Sequence, residues 1–281
     1  MKKVISLILV TAILLIGCSS INKVDENKVK DVSDKITETI IDTVGKEKAK
    51  RQESHTINAE NLSMLDIKSS VGKININSHD SNDAIVNIDI TAQSNSKDKA
   101  QKLVDEFVYT VNEESKSIAV DTSYNDISLK GENISTDLFI TVPKHIESIT
   151  ISLNVGDIDI KNINGIYEVK NNVGEITIEN SKASYNIKND VGDIDLINVS
   201  AVNDSSFKAN TGEIKMYFDD IKDANTIEAE TGVGDIDISL PDDSSYKAVI
   251  NEFMEKERIE RNKDEKTKII ITTGVGEVDF N

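Results

Sequence analysis

Val155-Gly156-Asp157-Ile158-Asp159-Ile160 decides the fold. After the glycine, acid and isoleucine alternate with period two. That is the pattern of a strand with Ile158 and Ile160 buried and Asp157 and Asp159 facing out. The string returns at 191–196, ending in Leu196, and at 233–238. A looser form (Gly, charged residue, Ile or Val, any residue, apolar residue) begins at Gly72, Gly156, Gly174, Gly192, Gly212, Gly234 and Gly276. Valine precedes all of these glycines except Gly212, which follows Thr211. The intervals from Gly156 to Gly234 are 18, 18, 20 and 22 residues, and 42 more lead to Gly276. Self-similarity at a period near 20 predicts a repeat architecture. Asn251-Glu252-Phe253-Met254, inside the long interval, reads as a copy that lost its glycine.

Each repeat holds a second, weaker strand, as at 167–170, 185–188 and 207–209. Turn formers such as Asn154, Asn172 and Asp190 stand two positions before the glycine and mark a bend. Stacking such units buries an isoleucine ladder that one repeat alone cannot bury. The expected fold is mainly β: a β-solenoid of about six coils over 151–281, with a mixed α/β capping portion over 57–150. An antiparallel meander is the competing arrangement, and Asn164-Gly165 would suit its turns. In the capping portion, Ala100, Leu103, Val104, Phe107, Val108 and Val111 form a helical stripe across 97–112.

Lys2 and Lys3 precede an apolar run from Val4 to Ile16, too short to span a bilayer comfortably and typical of a signal segment. Leu15-Ile16-Gly17-Cys18 resembles a bacterial lipobox. The resemblance implies cleavage after residue 17 and a diacylglyceryl group on Cys18, the sole cysteine. The chain would then be held to membrane lipid on the outer face of the cell membrane. Residues 18–56 read as a tether. Val29, Val32, Ile36, Ile40 and Val44 give it one amphipathic helix, acting as a spacer or as a docking element.

Residues 57–281 resemble the bacterial "putative adhesin" family of β-strand-repeat domains of unknown function. The Val-Gly-Asp-Ile-Asp-Ile strings carry the resemblance, with Leu138-Phe139-Ile140-Thr141-Val142-Pro143 and Leu240-Pro241. It implies a β-helix-like, extracytoplasmic domain and says little about ligand.

The chain has 281 residues, with 50 acidic and 32 basic residues giving a net charge of −18, which argues against nucleic acid as a partner. No tryptophan and 4% aromatics make an aromatic-lined pocket hard to build. The candidate interaction surface is the outward acidic ladder: Asp157, Glu175, Asp193, Glu213 and Asp235 after the glycines, with Asp159, Asp195 and Asp237 two positions on. Stacked carboxylates about 5 Å apart repel. Cations, interleaved lysines or raised pKa values would relieve them. Weak Ca2+ binding is one reading, although Ile158 stands where the calcium-binding nonapeptide repeat requires aspartate. No catalytic residue, resident metal or cofactor is expected. His79 beside Asp80 reads as a loop feature, and no serine sits in a nucleophile motif. The expected function is a lipid-anchored surface binding or scaffolding protein, adhesin-like, whose partner is a surface protein or wall polymer. The alternatives are an envelope-stress component that contacts a membrane sensor through the tether, and a calcium- or carbohydrate-binding protein.

Overall fold

The computed structural model describes residues 46–124, 132–252, 258–262 and 264–281. The signal segment 1–17, Cys18 and the stripe from Val29 to Val44 lie outside the described residues.

The described residues are mainly β. The first strands are β1 (Glu47–Asn58), β2 (Met64–Val71), β3 (Ile74–His79) and β4 (Asp83–Ser94). Helix α1 (Lys97–Glu106) precedes β5 (Thr110–Glu114), β6 (Ser117–Thr122) and β7 (Asn133–Pro143). The repeats supply β8 (Ser148–Val155), β9 (Ile158–Lys161), β10 (Gly165–Val173), β11 (Ile176–Glu179), β12 (Lys182–Val191), β13 (Ile194–Thr211), β14 (Ile214–Val233) and β15 (Ile236–Ser239). The chain closes with β16 (Tyr246–Asn251), β17 (Arg258–Asn262), β18 (Thr267–Val275) and β19 (Val278–Phe280).

Two parallel ladders meet at the glycine corners. One stacks the strands before the corners in the order β6, β2, β8, β10, β12, the second halves of β13 and β14, β18 and β16. The other stacks the strands after the corners in the order β7, β3, β9, β11, the first halves of β13 and β14, β15 and β19. One strand from each ladder, joined at a corner, makes a rung. Parallel pairing at the repeat interval selects the stacked, solenoid-like arrangement over the meander. Ile158, Ile176, Ile194, Ile214 and Ile236 face one another in register and are fully buried. Each such side chain contributes about 1.5–3 kcal/mol through burial. In the other ladder, buried Tyr167 and Tyr185 stack with ring centroids 5.4 Å apart.

The glycine is demanded by the rung beneath it. Gly174 has φ +134°, and a Cβ there would overlap the carbonyl oxygen of Gly156. No L side chain fits both the conformation and the space. Thr136 takes the corner place beneath Gly72, where a Cβ would overlap the Thr136 carbonyl. Beneath Thr136 there is no parallel rung, because β4 pairs with β7 antiparallel, and threonine is allowed. The copy that lacks its glycine is therefore Thr136-Asp137-Leu138-Phe139-Ile140.

The ends differ from the sequence expectation in four ways. First, the motif at Gly72, which falls in the expected capping portion, is part of the stack: β2 pairs with β8 and β3 with β9 in register, and the ladders run unbroken across residue 150. Second, residues 47–56, read as the end of the tether, belong to β1, which pairs antiparallel with β4 over its whole length. Only Ala49 and Ile57 of β1 are buried. An edge strand facing water needs few apolar residues and gives little periodic signal. Third, α1 stops at Glu106. Phe107 is already extended, Val108 is 78% exposed and Val111 lies on β5, since the stripe passes from helix to strand without changing composition. Fourth, the 42-residue interval does not hold a copy stacked in chain order. β18 and β19 stack directly on β14 and β15, while β16 lies beyond β18 and turns back as β17.

Candidate interaction surface

The predicted acidic ladder gathers at the corners, where its two rows differ. In spatial order the residue after each corner is Asp137, Lys73, Asp157, Glu175, Asp193, Glu213, Asp235 and Glu277. Aspartate occupies every second rung. Each aspartate accepts a hydrogen bond from the backbone N–H of the next rung: Lys73 to Asp137 (2.9 Å), Glu175 to Asp157 (3.3 Å), Glu213 to Asp193 (2.8 Å) and Glu277 to Asp235 (2.8 Å). The short aspartate side chain satisfies a backbone donor that the corner takes out of the ladder. Of the glutamates on the intervening rungs, Glu175 and Glu277 are exposed, and Glu213 is half-buried beside Lys215. This division was hidden in the sequence, because Asp137 follows no glycine and because Lys73 lies between Asp137 and Asp157 in space.

The second row alternates as far as Asp237, whose next neighbour is Asp279. Asp159, Thr177, Asp195, Lys215 and Asp237 follow one another in register. Asp159, Asp195 and Asp237 thus sit two rungs apart, about 9.6 Å, rather than on adjacent rungs.

Repulsion in the first row is relieved in two of the expected ways. Lys73 Nζ lies 2.7 Å from Asp157, and Lys215 Nζ lies 2.7 Å from Glu213. The hydrogen bond from Lys73 holds the Asp157 carboxyl below its usual range. Glu175 has no such cation. Burial, then its contact with Asp195, pushes its carboxyl up. Burial likewise raises Asp159. Among the described residues, no group of three or more His, Cys, Asp and Glu is arranged to hold a metal ion.

Two further rows were missed. Asn171 and Asn189, buried three positions before their glycines, donate Nδ2–H to the carbonyls of Gly156 (2.9 Å) and Gly174 (2.7 Å). Thr231 and Thr273 do the same for Gly212 and Gly234 through their hydroxyls. A polar residue at that inward position was the available signal. At the far end of the short strands, Asn162, Asn180 and Asn198 adopt positive φ. Each donates Nδ2–H to the preceding asparagine, starting from Asn77. Asparagine at 18-residue spacing was legible in the sequence.

The histidines are apart from one another. His79 Nε2 lies 2.7 Å from the Asp83 carbonyl oxygen, while Asp80 pairs with Lys144. His145 contacts the Ala59 carbonyl, and His55 the Tyr109 hydroxyl. Arg51 on β1 donates to the carbonyls of Asp105 and Phe107 at the C-terminal end of α1. Among the described residues, one shallow depression lies beside Phe107 and Tyr124 and another beside Ile166 and Ser206; neither is lined by His, Lys or Arg.

The profile of the Toastrack DUF4097 family matches residues 108–252. This agrees with the β-strand-repeat resemblance of the motifs. Among solved structures, the chain is similar to a "putative adhesin" from Bacteroides fragilis, at 16% identity over 82% of this chain and 97% of that one, with a TM-score of 0.43. It is also similar to a "putative cell adhesion protein" from Clostridium sporogenes, at 14% identity over 82% and 98%, TM-score 0.32. A third similar structure is a "putative lipid binding protein" from Parabacteroides distasonis, at 10% identity over 82% and 97%, TM-score 0.30. No curated protein matches the chain.

Proposed function

This chain belongs to the Toastrack DUF4097 family, and from that premise we propose that it is a lipid-anchored, extracytoplasmic binding or scaffolding protein. The supporting observation is the stack itself. Outward positions recur rung after rung about 4.8 Å apart, so the molecule offers extended rows of side chains, the mostly acidic corner row among them. Such rows suit a polymer or another protein better than an enclosed small molecule. Cys18, behind its lipobox-like segment, is the anchor, and the membrane lipid it would carry is the first partner. About six coils form the working body, and the portion before them caps one end. The protein acts by binding rather than by turnover.

The test is cross-linking in living cells with tagged full-length protein, followed by mass spectrometry. The reading expects a surface protein or wall polymer that is still captured when residues 19–44 are deleted. Capture of a membrane sensor that is lost with that deletion would favour the regulatory alternative, which rests on the apolar stripe from Val29 to Val44. Turnover of a wall polysaccharide by the purified chain would overturn the binding reading.

A further inference from the structure

One recurring feature of the repeat has no role in the acidic rows. The valine before each corner glycine stacks in register: Val71, Val155, Val173 and Val191, then Thr211, Val233 and Val275. Unlike the isoleucines two positions beyond the corner, these side chains reach solvent. Val155 is 44% exposed, Val233 49% and Val275 53%. The result is an apolar ridge about 29 Å long. On the side past the glycines it is bordered by the corner carboxylates. On the other side stand mostly uncharged residues, among them Asn154, Asn172 and Asn210. The glycines between ridge and acids carry no side chain, so a shallow furrow separates them.

We propose that this ridge docks an α-helix of a basic partner protein, with an apolar stripe on the valines and cations against the outward glutamates Glu175 and Glu277. Three observations choose this occupant. The acid lies mainly on one flank, and the single aspartate of the other, Asp190, is paired with Lys188, so the complement is apolar along a line and cationic beside it. A helix turns every 5.4 Å, close to the rung spacing of about 4.8 Å, and keeps one residue per rung with a drift of about 4 Å along the ridge. An extended chain repeats a side every 6.8 Å or so and drifts about 12 Å. A second copy of this chain would bring like rows together on a protein of net charge −18. The aspartates are already bonded to backbone N–H groups and Glu213 to Lys215, which leaves Glu175 and Glu277 as the contact charges. The inference rests on the binding reading above and names the partner's chemistry.

The test uses a fluorescein-labelled synthetic helix of about twenty residues, long enough for the ridge, with one leucine stripe and lysines on one flank. A scrambled peptide of the same composition is the control. Both are titrated with the full chain by fluorescence anisotropy at physiological salt. The patterned helix is expected to bind at least about ten-fold more tightly than the scramble. The double variant Glu175→Gln and Glu277→Gln is expected to lose at least about ten-fold in affinity. Val155→Thr, Val233→Thr and Val275→Thr should lose a similar factor, and Thr211 shows that the corner accepts threonine. Circular dichroism melting reads folding separately. Equal binding of helix and scramble, or threonine variants that are folded and bind as the parent does, overturns the proposal. If a chain that fails this test still captures a surface partner from cells, the docking inference falls and the binding reading stands.

Discussion

From Ser148 to Ser239 the rungs follow one another in space as they do along the chain. Each corner there holds a glycine against the carbonyl of the rung below. At both ends that order is exchanged. The first rung in the chain, β2 with β3, sits second in the stack, outside-neighboured by β6 with β7. The last rung, β18 with β19, sits inside β16. Antiparallel strands close the ends: β5 on β6, β1 and β4 beyond β7, and β17 on β16. At β19, the Glu252 carboxylate accepts the Val278 N–H and Arg258 donates to the Val278 carbonyl. The middle repeats because each rung must fit an identical neighbour. The ends do not repeat because their task is to stop strand addition.

The largest effect that would break this comparison is at a middle corner. Gly174→Ala forces a Cβ into the Gly156 carbonyl and is expected to cost about 3 kcal/mol or more. Gly276→Ala, on a rung with fewer neighbours to displace, should cost less in the same chemical denaturation. Equal losses would mean that the middle is not the more constrained region. Next is the buried polar row. Asn189→Ala leaves the Gly174 carbonyl without its donor and should destabilise by about 2 kcal/mol. At an end, Arg51→Ala frees the C-terminal carbonyls of α1. Hydrogen exchange should quicken in β1 and α1 while β10 to β12 stay protected.

The smallest effect concerns charge. The Glu175 carboxyl titrates above its usual range, so its ionisation works against the fold. Its contribution is fully present below the usual carboxylate pKa and is lost as pH rises through the raised value. Glu175→Gln should therefore raise Tm slightly at pH 7, with a gain that shrinks on acidification. Asp157 is shifted down, and Asp157→Asn should lower Tm at pH 7 with a loss that shrinks in acid. If both variants moved Tm in the same direction at pH 7, the division into bonded aspartates and outward glutamates would be wrong.

The middle was legible because three physical demands share one interval. The corner needs glycine, the core needs isoleucine, and the surface needs charge, so Val155 to Ile160 states the rung outright. Rung order was not legible, because sequence spacing says how far apart two copies are along the chain and not which neighbour each one takes. That is why the Gly72 motif was assigned to the capping portion and why Asn251 was read as the lost copy in place of Thr136. The acidic surface was legible as residues but not as roles. Whether a carboxylate bonds a backbone N–H or faces water depends on the rung beside it. β1 was missed because only Ala49 and Ile57 of its residues are buried, which leaves no apolar alternation to read.

The most direct test of the rung order is disulfide formation in a Cys18→Ser background. Lys68 faces Ser152 on one side and Asp121 on the other. Lys68→Cys with Ser152→Cys should cross-link on mild oxidation, since neighbouring rungs lie within disulfide reach. Asp121→Cys with Ser152→Cys, two rungs apart, should not. Cross-linking of the second pair and not of the first would place β6 directly against β8, as chain order would have it, and would contradict the stack described for this protein.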